Sequence, residues 1–428
     1  MLAQWKKSLM IYADRRMLTM LMLGFSSGFP LLLIFSTLSL WLKNVGLSLA
    51  VIGIFSLAKV PYSFKWLWSP LVDRVSLPIF EKLGRRRGWA LFSQVLLFLG
   101  ILGMASQEPS ESPYMMAFFA FIVAFFSATQ DIVLDAYRIE SFNTREQGAG
   151  AAVFVLGYRF GLIFSGAGAL CMATTLSWNE VYWLMSFGAF VGMAAILLSP
   201  EPKDIDKVEK LAGNTRQKIR CFLYEAVVCP FKDFLKRPDW KIILLFIMFY
   251  KLCDAYMMPM TMPFYDDMGF SKTEIAYVTK FYGIIAAIVG GLIGGLIVNR
   301  FGVMRSLVFC GVIQGLSNLV FVLQANAGHD ISMLVFTISV ENLAGGMGTT
   351  AFVAYLSSLC NVAYTATQYA LLSSFMSLTR DVFAATSGFL ASSVSWDIFF
   401  VITAAMALPG LILLGFMLKL YPIKKHLS

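Results

Sequence analysis

The sequence predicts an all-α membrane protein whose twelve transmembrane helices form two six-helix bundles. Three observations carry this. Of the 428 residues, 58% are hydrophobic and only 14% are charged, a composition that would leave a soluble fold exposing too much apolar surface. Apolar stretches of about twenty residues, the length that crosses a bilayer as a helix, recur along nearly the whole chain. A single long polar interruption, residues 201–239, divides those stretches six and six.

In order, the expected spans cover about 18 to 42, 48 to 68, 89 to 106, 115 to 137, 147 to 174 and 179 to 199. The second set covers about 240 to 264, 273 to 298, 305 to 325, 331 to 358, 365 to 392 and 396 to 419. The leading MLAQWKKSLMIYADRR is basic, but the apolar segment after it is as long as a full span and lacks a small-residue cleavage site, so a retained first helix is expected. Lys6, Lys7, Arg15 and Arg16 precede span one, Arg74, Lys82, Arg85, Arg86 and Arg87 separate spans two and three, and Lys424 and Lys425 end the chain. The loops QEPSESPY, SWNE, NAGHD and SVSWD carry no Lys or Arg. Positive charge marks the inner side, so both termini are expected in the cytoplasm.

The resulting domains are 1–200, an N-terminal bundle; 201–239, a cytoplasmic linker; and 240–428, a C-terminal bundle. Within the linker, KIRCFLYEAVVCPFKDFLKR mixes apolar and basic residues as an interfacial helix would, although a solvated linker explains it equally well. The net charge of +9 lies in loops and ends, which suits a membrane surface and argues against a nucleic-acid partner. Six scattered cysteines, with the one close pair Cys221 and Cys229 in a basic loop, predict neither disulfide nor metal site.

Two loops repeat a pattern. After span two the chain reads SPLVDRVSLPIFEKLGRRRGW, and after span eight GGLIVNRFGVMRSL. Asp73 and Arg74, with Arg85 and Arg86 further on, match Asn299 and Arg300 with Gly302 and Arg305. The pattern resembles the short loop signature of the major facilitator superfamily, once in each half. It implies the major facilitator fold, with parallel repeats rocking about a midplane site and loops that pair with neighbouring helix ends to hold one conformation shut. Gating is therefore expected of Asp73, Arg74, Arg85, Arg86, Asn299 and Arg300, beside the plainer role of these charges in setting topology.

The spans themselves contain charges. In SATQDIVLDAYRIE, Asp131, Asp135 and Arg138 share one helical face beside Gln130. A charge at the bilayer centre costs about 2.5–3.5 kcal/mol, so that face must look into the bundle or a wet cavity. Two carboxylates one turn apart oppose simultaneous ionisation, a property a reversible proton carrier needs; the alternative is a fixed network in which an arginine neutralises one of them. Span five contributes Tyr158 and Arg159 among Gly157, Gly161, Gly166 and Gly168, which permit close helix approach. Span seven contributes Tyr250, Lys251 and Asp254, with Pro259 and Pro263 expected to break the helix nearby. Glu341 and Asn342 lie in span ten, and Gln368 and Arg380 in span eleven. Together they describe a polar, amphoteric chamber suited to a cargo bearing carboxylates and hydroxyls.

No G-x-x-x-x-G-K-[ST] loop encodes an ATP motor, and the two histidines, His329 and His426, form no H-E-x-x-H motif. No enzyme activity, cofactor or metal is expected. Any driving force comes from a gradient, with protons the natural coupling ion.

Beyond the loop signature, FKWLWSPLVDR, GRRRGWAL, SATQDIVLDAYR, GAGAAVFVLGYRFGLIFSGAGAL, YKLCDAY, ENLAGGMGTTAFVAYLSSLCN and ATQYALLSSFMSLTR resemble the AmpG family of muropeptide permeases. The resemblance covers most of the chain. It implies proton-coupled import of GlcNAc-anhydroMurNAc peptides across a bacterial inner membrane for cell-wall recycling, by alternating access. The family's Gln-Asp pair falls on Gln130 and Asp131, and its Tyr-Lys-x-x-Asp on Tyr250, Lys251 and Asp254. Proton coupling is thus expected of Asp131, Asp135, Asp254 and Glu341. Substrate binding is expected of Gln130, Tyr158, Arg159, Tyr250, Lys251, Asn342, Gln368 and Arg380. The expected partners are a small glycopeptide, protons and the lipid bilayer, with the chain a monomer. Relatives on the same branch carry acetyl-CoA or siderophores, so another polar cargo stays open, as does a sensor that binds without transport.

Overall fold

The computed structural model describes residues 11–47, 51, 55, 58, 60–143, 146–202, 224 and 228–420. Lys6, Lys7, Lys424 and Lys425, part of span two, Cys221 and most of the linker lie outside the described residues.

Among the described residues, ten helices are long and apolar enough to cross a membrane. They are span one (Arg15–Asn44), span three (Arg85–Ala105), span four (Pro113–Ser141), span five (Gln147–Met172) and span six (Trp178–Leu198), then span seven (Trp240–Asp267), span eight (Ile284–Phe301), span nine (Val303–Ala327), span ten (Ile331–Ser358) and span twelve (Trp396–Lys419). Span eleven is a continuous helix, Thr365–Ser393. Its TRD and repeated Ser and Thr keep it less apolar than the ten. Of span two, the described part comprises Val60–Phe64, Lys65–Leu67 and Ser69–Arg74.

Side-chain caps fix several helix starts. Asp14 accepts the amide of Arg16 at 2.8 Å, Ser177 and Glu180 form a capping box, and Asp330 accepts the amides of Ser332 and Met333. Each satisfies donors that the first helical turn leaves free.

Glycines set the tightest crossings. A Cβ on Gly24 would lie 2.0 Å from the carbonyl oxygen of Phe154, and one on Gly157 would lie 2.0 Å from that of Leu21, so spans one and five touch backbone to backbone. Spans eight and ten cross the same way, where a Cβ on Gly290 would meet the Leu343 oxygen at 2.1 Å. Aromatic cores fill the bundles, one around Trp41 and Tyr182 and another around Phe246 and Phe352. A third places Ala366 and Ala370 of span eleven against Val133 and Tyr137 of span four, joining the two sets of helices.

Span seven breaks at a place the sequence does not announce. Pro259 and Pro263 lie inside the unbroken helix Leu252–Asp267, where neighbouring helices can satisfy the freed carbonyls. The interruption falls at Lys251, which leaves helical geometry with φ −105° and ψ 15°.

Candidate functional site

Lys251 turns its ammonium onto two partners at this break. Its Nζ donates to Asp254 Oδ2 at 2.9 Å and to Gln314 Oε1 at 3.0 Å. The Gln314 amide Nε2 closes the ring by donating to both Asp254 oxygens at 2.6 Å. Three side chains from spans seven and nine thus satisfy one another, and Thr349 of span ten lies 3.5 Å from the same ammonium. Space for Gln314 depends on Gly348, since a Cβ there would lie 2.2 Å from Gln314 Oε1. Glu341 lies within electrostatic range of Asp254 and Lys251, and also of Arg159 on span five. Its Oε2 accepts the Asn342 amide at 2.7 Å.

The other carboxylate centre is Asp131. It accepts the Ser27 hydroxyl at 2.6 Å. Lys65, at the break in span two, is within electrostatic range of it, as are Tyr62 and Tyr158. Tyr158 in turn is close to Arg380 of span eleven, whose guanidinium pairs with its neighbour Asp381 at 3.2 Å. Asp131, Tyr158, Arg159, Lys251, Asp254, Glu341 and Arg380 are therefore linked by a chain of electrostatic interactions that spans both sets of helices.

A second cluster lies on the face that carries the basic loops. Asp73 Oδ2 accepts the amide and hydroxyl of Thr367, both at 2.6 Å, and Oδ1 accepts the amide of Ala366 at 3.1 Å. A carboxylate so placed caps span eleven and complements the positive end of its dipole. Arg86, fully buried, pairs with Asp73 at 2.8 Å and with Glu140 at 2.6 Å. Arg85 donates to the Asp73 carbonyl. Arg74 stacks over Tyr364 at 5.0 Å. Arg138, also fully buried, pairs with Asp135 at 3.2 Å, donates to Ser357 of span ten at 3.0 Å and lies over Tyr369 of span eleven. The contacts of Asp73 with Ala366 and Thr367, of Arg74 with Tyr364, and of Arg138 with Ser357 and Tyr369 reach from the first six spans to the last six.

The helix Cys229–Leu235, the described end of the linker, straps this face. Phe231 packs edge-on against Trp66, and Asp233 accepts from Gln368 at 2.9 Å and from Asn361 at 3.3 Å.

Several residues stand apart from their expected company. Gln130 is fully buried and spends its amide on Ser26, accepting the hydroxyl at 3.0 Å and donating to the carbonyl at 2.7 Å. Tyr250 packs against Phe352 and donates to the Leu307 carbonyl at 2.9 Å. Gln368 holds the linker helix and the Asn361 amide. These three satisfy buried polar groups between helices, a distinction that residue type alone cannot make. Asp135 belongs to the basic-face cluster. Arg300 lies over its own neighbour Phe301, and Asn299 makes an interaction as well.

Ser27, Lys65, Gln314, Thr349 and Thr367 escape the sequence analysis. Gln314 carries a signal, an amide between glycine-flanked apolar residues in CGVIQGL; the hydroxyls carry none.

Fold and site together define a membrane transporter. The family model for the Major Facilitator Superfamily matches residues 18–327 and 244–428. The chain belongs to that superfamily and, within it, to the AmpG family. It is 41% identical over 408 residues to the "Anhydromuropeptide permease" of Escherichia coli K12, covering 95% of this chain and 80% of that one. It is 38% identical over 411 residues to the "Putative transporter AmpG 4" of Rickettsia felis, covering 96% and 98%. Among solved structures it resembles the proton:xylose symporter XylE, with TM-score 0.66, 14% identity and 94% of each chain covered. The human organic anion transporter MFSD10 aligns with TM-score 0.65 and 13% identity over 93% of this chain and 98% of that one. Such distant neighbours establish the fold. The chain is a multi-pass transporter and not an enzyme.

Proposed function

We propose that this protein imports anhydromuropeptides across the bacterial inner membrane together with protons, by alternating access between bundles 1–200 and 240–428. The observation that carries the cargo is the 41% identity, over 95% of this chain, to a permease named for that substrate. In this reading the basic face is cytoplasmic, as are both termini, and the cluster around Asp73, Arg86 and Arg138 holds it closed while the interior opens outward. Residues 201–239 link the bundles, with the helix Cys229–Leu235 following the cytoplasmic side.

Tyr158, Arg159, Asn342 and Arg380 supply donors and charge for a sugar-peptide. Asp131 takes the proton. It has a single short hydroxyl contact and a buried lysine in electrostatic range, so its charge state is free to change when cargo binds. Asp254 and Glu341 complete a relay across the bundles. Asp254 is held by Lys251 and Gln314, and releasing that ring accompanies the change of access. The monomer suffices for this cycle.

Uptake of labelled anhydromuropeptide into proteoliposomes tests the proposal. Accumulation driven by an inward proton gradient supports it. Tight binding without flux would make the protein a sensor, and flux of a different polar cargo alone would overturn the substrate.

A further inference from the structure

Residues of spans eight, nine and ten line an apolar cleft of about 650 Å³. Ile297 and Phe301 form one wall, Phe309 and Ile313 the other, and Leu343 and Met347 the floor. The only charged lining residue is Arg305, at the loop end. None of the ion pairs among the described residues involves it. Arg300 adds a second cation at this mouth, where its guanidinium lies over the Phe301 ring.

The cleft runs along span eight. From Phe301 back to Ile293, another lining residue, the helix rises about 12 Å, at about 1.5 Å per residue. A chain of methylenes fits such a slot, and the cations at its open end require an anion at the head. An uncharged amphiphile would fill the slot and leave the arginines unmatched, and a zwitterionic one would bring its own ammonium beside them.

We infer that this cleft binds one acyl chain of an anionic phospholipid, with the headgroup phosphate on Arg305. The floor and one wall are the backs of the segments that carry the interior charges. Ile313 adjoins Gln314, Leu343 follows Asn342, and Met347 adjoins Gly348. A chain seated here braces spans nine and ten where they hold Lys251 and Asp254. The inference needs only that the protein spans a membrane, and it stands or falls without reference to the cargo.

Native mass spectrometry of the full-length protein, released from mixed phosphatidylglycerol and phosphatidylethanolamine vesicles, tests it. One arginine near an anionic headgroup contributes about 1 kcal/mol, so wild type should retain phosphatidylglycerol about fivefold over phosphatidylethanolamine. Arg305→Gln should erase that preference, and Arg305→Lys should keep it. Ile297→Trp, which fills the slot, should lower retention of both lipids. Equal retention by wild type, or a preference untouched by Arg305→Gln, would overturn the site. So would a dimer that Ile297→Trp dissociates, since the cleft would then belong to a second copy.

Discussion

The carboxylate of Asp73, at the end of span two in the helix Ser69–Arg74, caps the first turn of span eleven by accepting the amide and hydroxyl of Thr367, each at 2.6 Å. The same carboxylate holds Arg86 at 2.8 Å. One side chain thus couples a helix end among the first six spans to a helix end among the last six, and it can do so only while their basic ends are together.

Asp73→Asn keeps the shape but removes the charge. Arg86 retains Glu140, so the expected cost is the helix-end interaction, up to about 2 kcal/mol in a partly buried setting. The basic face should open more often. Alkylation of a Ser357→Cys reporter from that side should accelerate several-fold; an unchanged rate would show that Asp73 does not hold the closure.

Arg138→Ala leaves Asp135 without its paired cation. Removing one partner of a buried pair costs about 3–5 kcal/mol, so thermal stability in detergent should fall clearly. The double variant Asp135→Ala with Arg138→Ala should recover part of the loss. A double variant no better than the single would deny the coupling between the two.

Gly348→Ala forces a methyl group to 2.2 Å from Gln314 Oε1, so the amide must leave its place between Lys251 and Asp254. Hydrogen bonds to charged groups contribute about 1.5–3 kcal/mol, and uptake should fall roughly 10- to 100-fold while protein levels in the membrane stay near wild type. Wild-type uptake would show that the ring is not part of the transport cycle.

Much of this was legible before any coordinates. Hydropathy gave spans ten and eleven at about 331 to 358 and 365 to 392, and the helices run Ile331–Ser358 and Thr365–Ser393. Charge inside the spans located Asp131, Arg159, Lys251, Asp254 and Glu341, because oil excludes such groups wherever they occur. What periodicity cannot say is which polar group an inward face meets. Gln130 and Tyr250 point inward as well, but onto Ser26 and the Leu307 carbonyl. The break in span seven followed the needs of Lys251 and its partners, and the prolines that seemed to mark it were absorbed into a helix. Hydroxyl partners such as Ser27 and Thr367 are too common in membrane helices to stand out.

Asp131→Asn removes the exchangeable proton at nearly constant size. Gradient-driven accumulation should be abolished, with binding of the glycopeptide and membrane levels retained. Accumulation at the wild-type level would move the proton to another acid, with Glu341 the first to test by the same substitution to Gln.

The most direct test of the central claim, that cargo and proton cross together through one interior built from both bundles, needs no imposed gradient. Anhydromuropeptide is added outside proteoliposomes suspended in a weakly buffered medium, and external pH is followed. Coupled entry predicts alkalinisation outside with wild type and none with Asp131→Asn. Entry of the labelled glycopeptide with no pH change in the wild type would contradict the account.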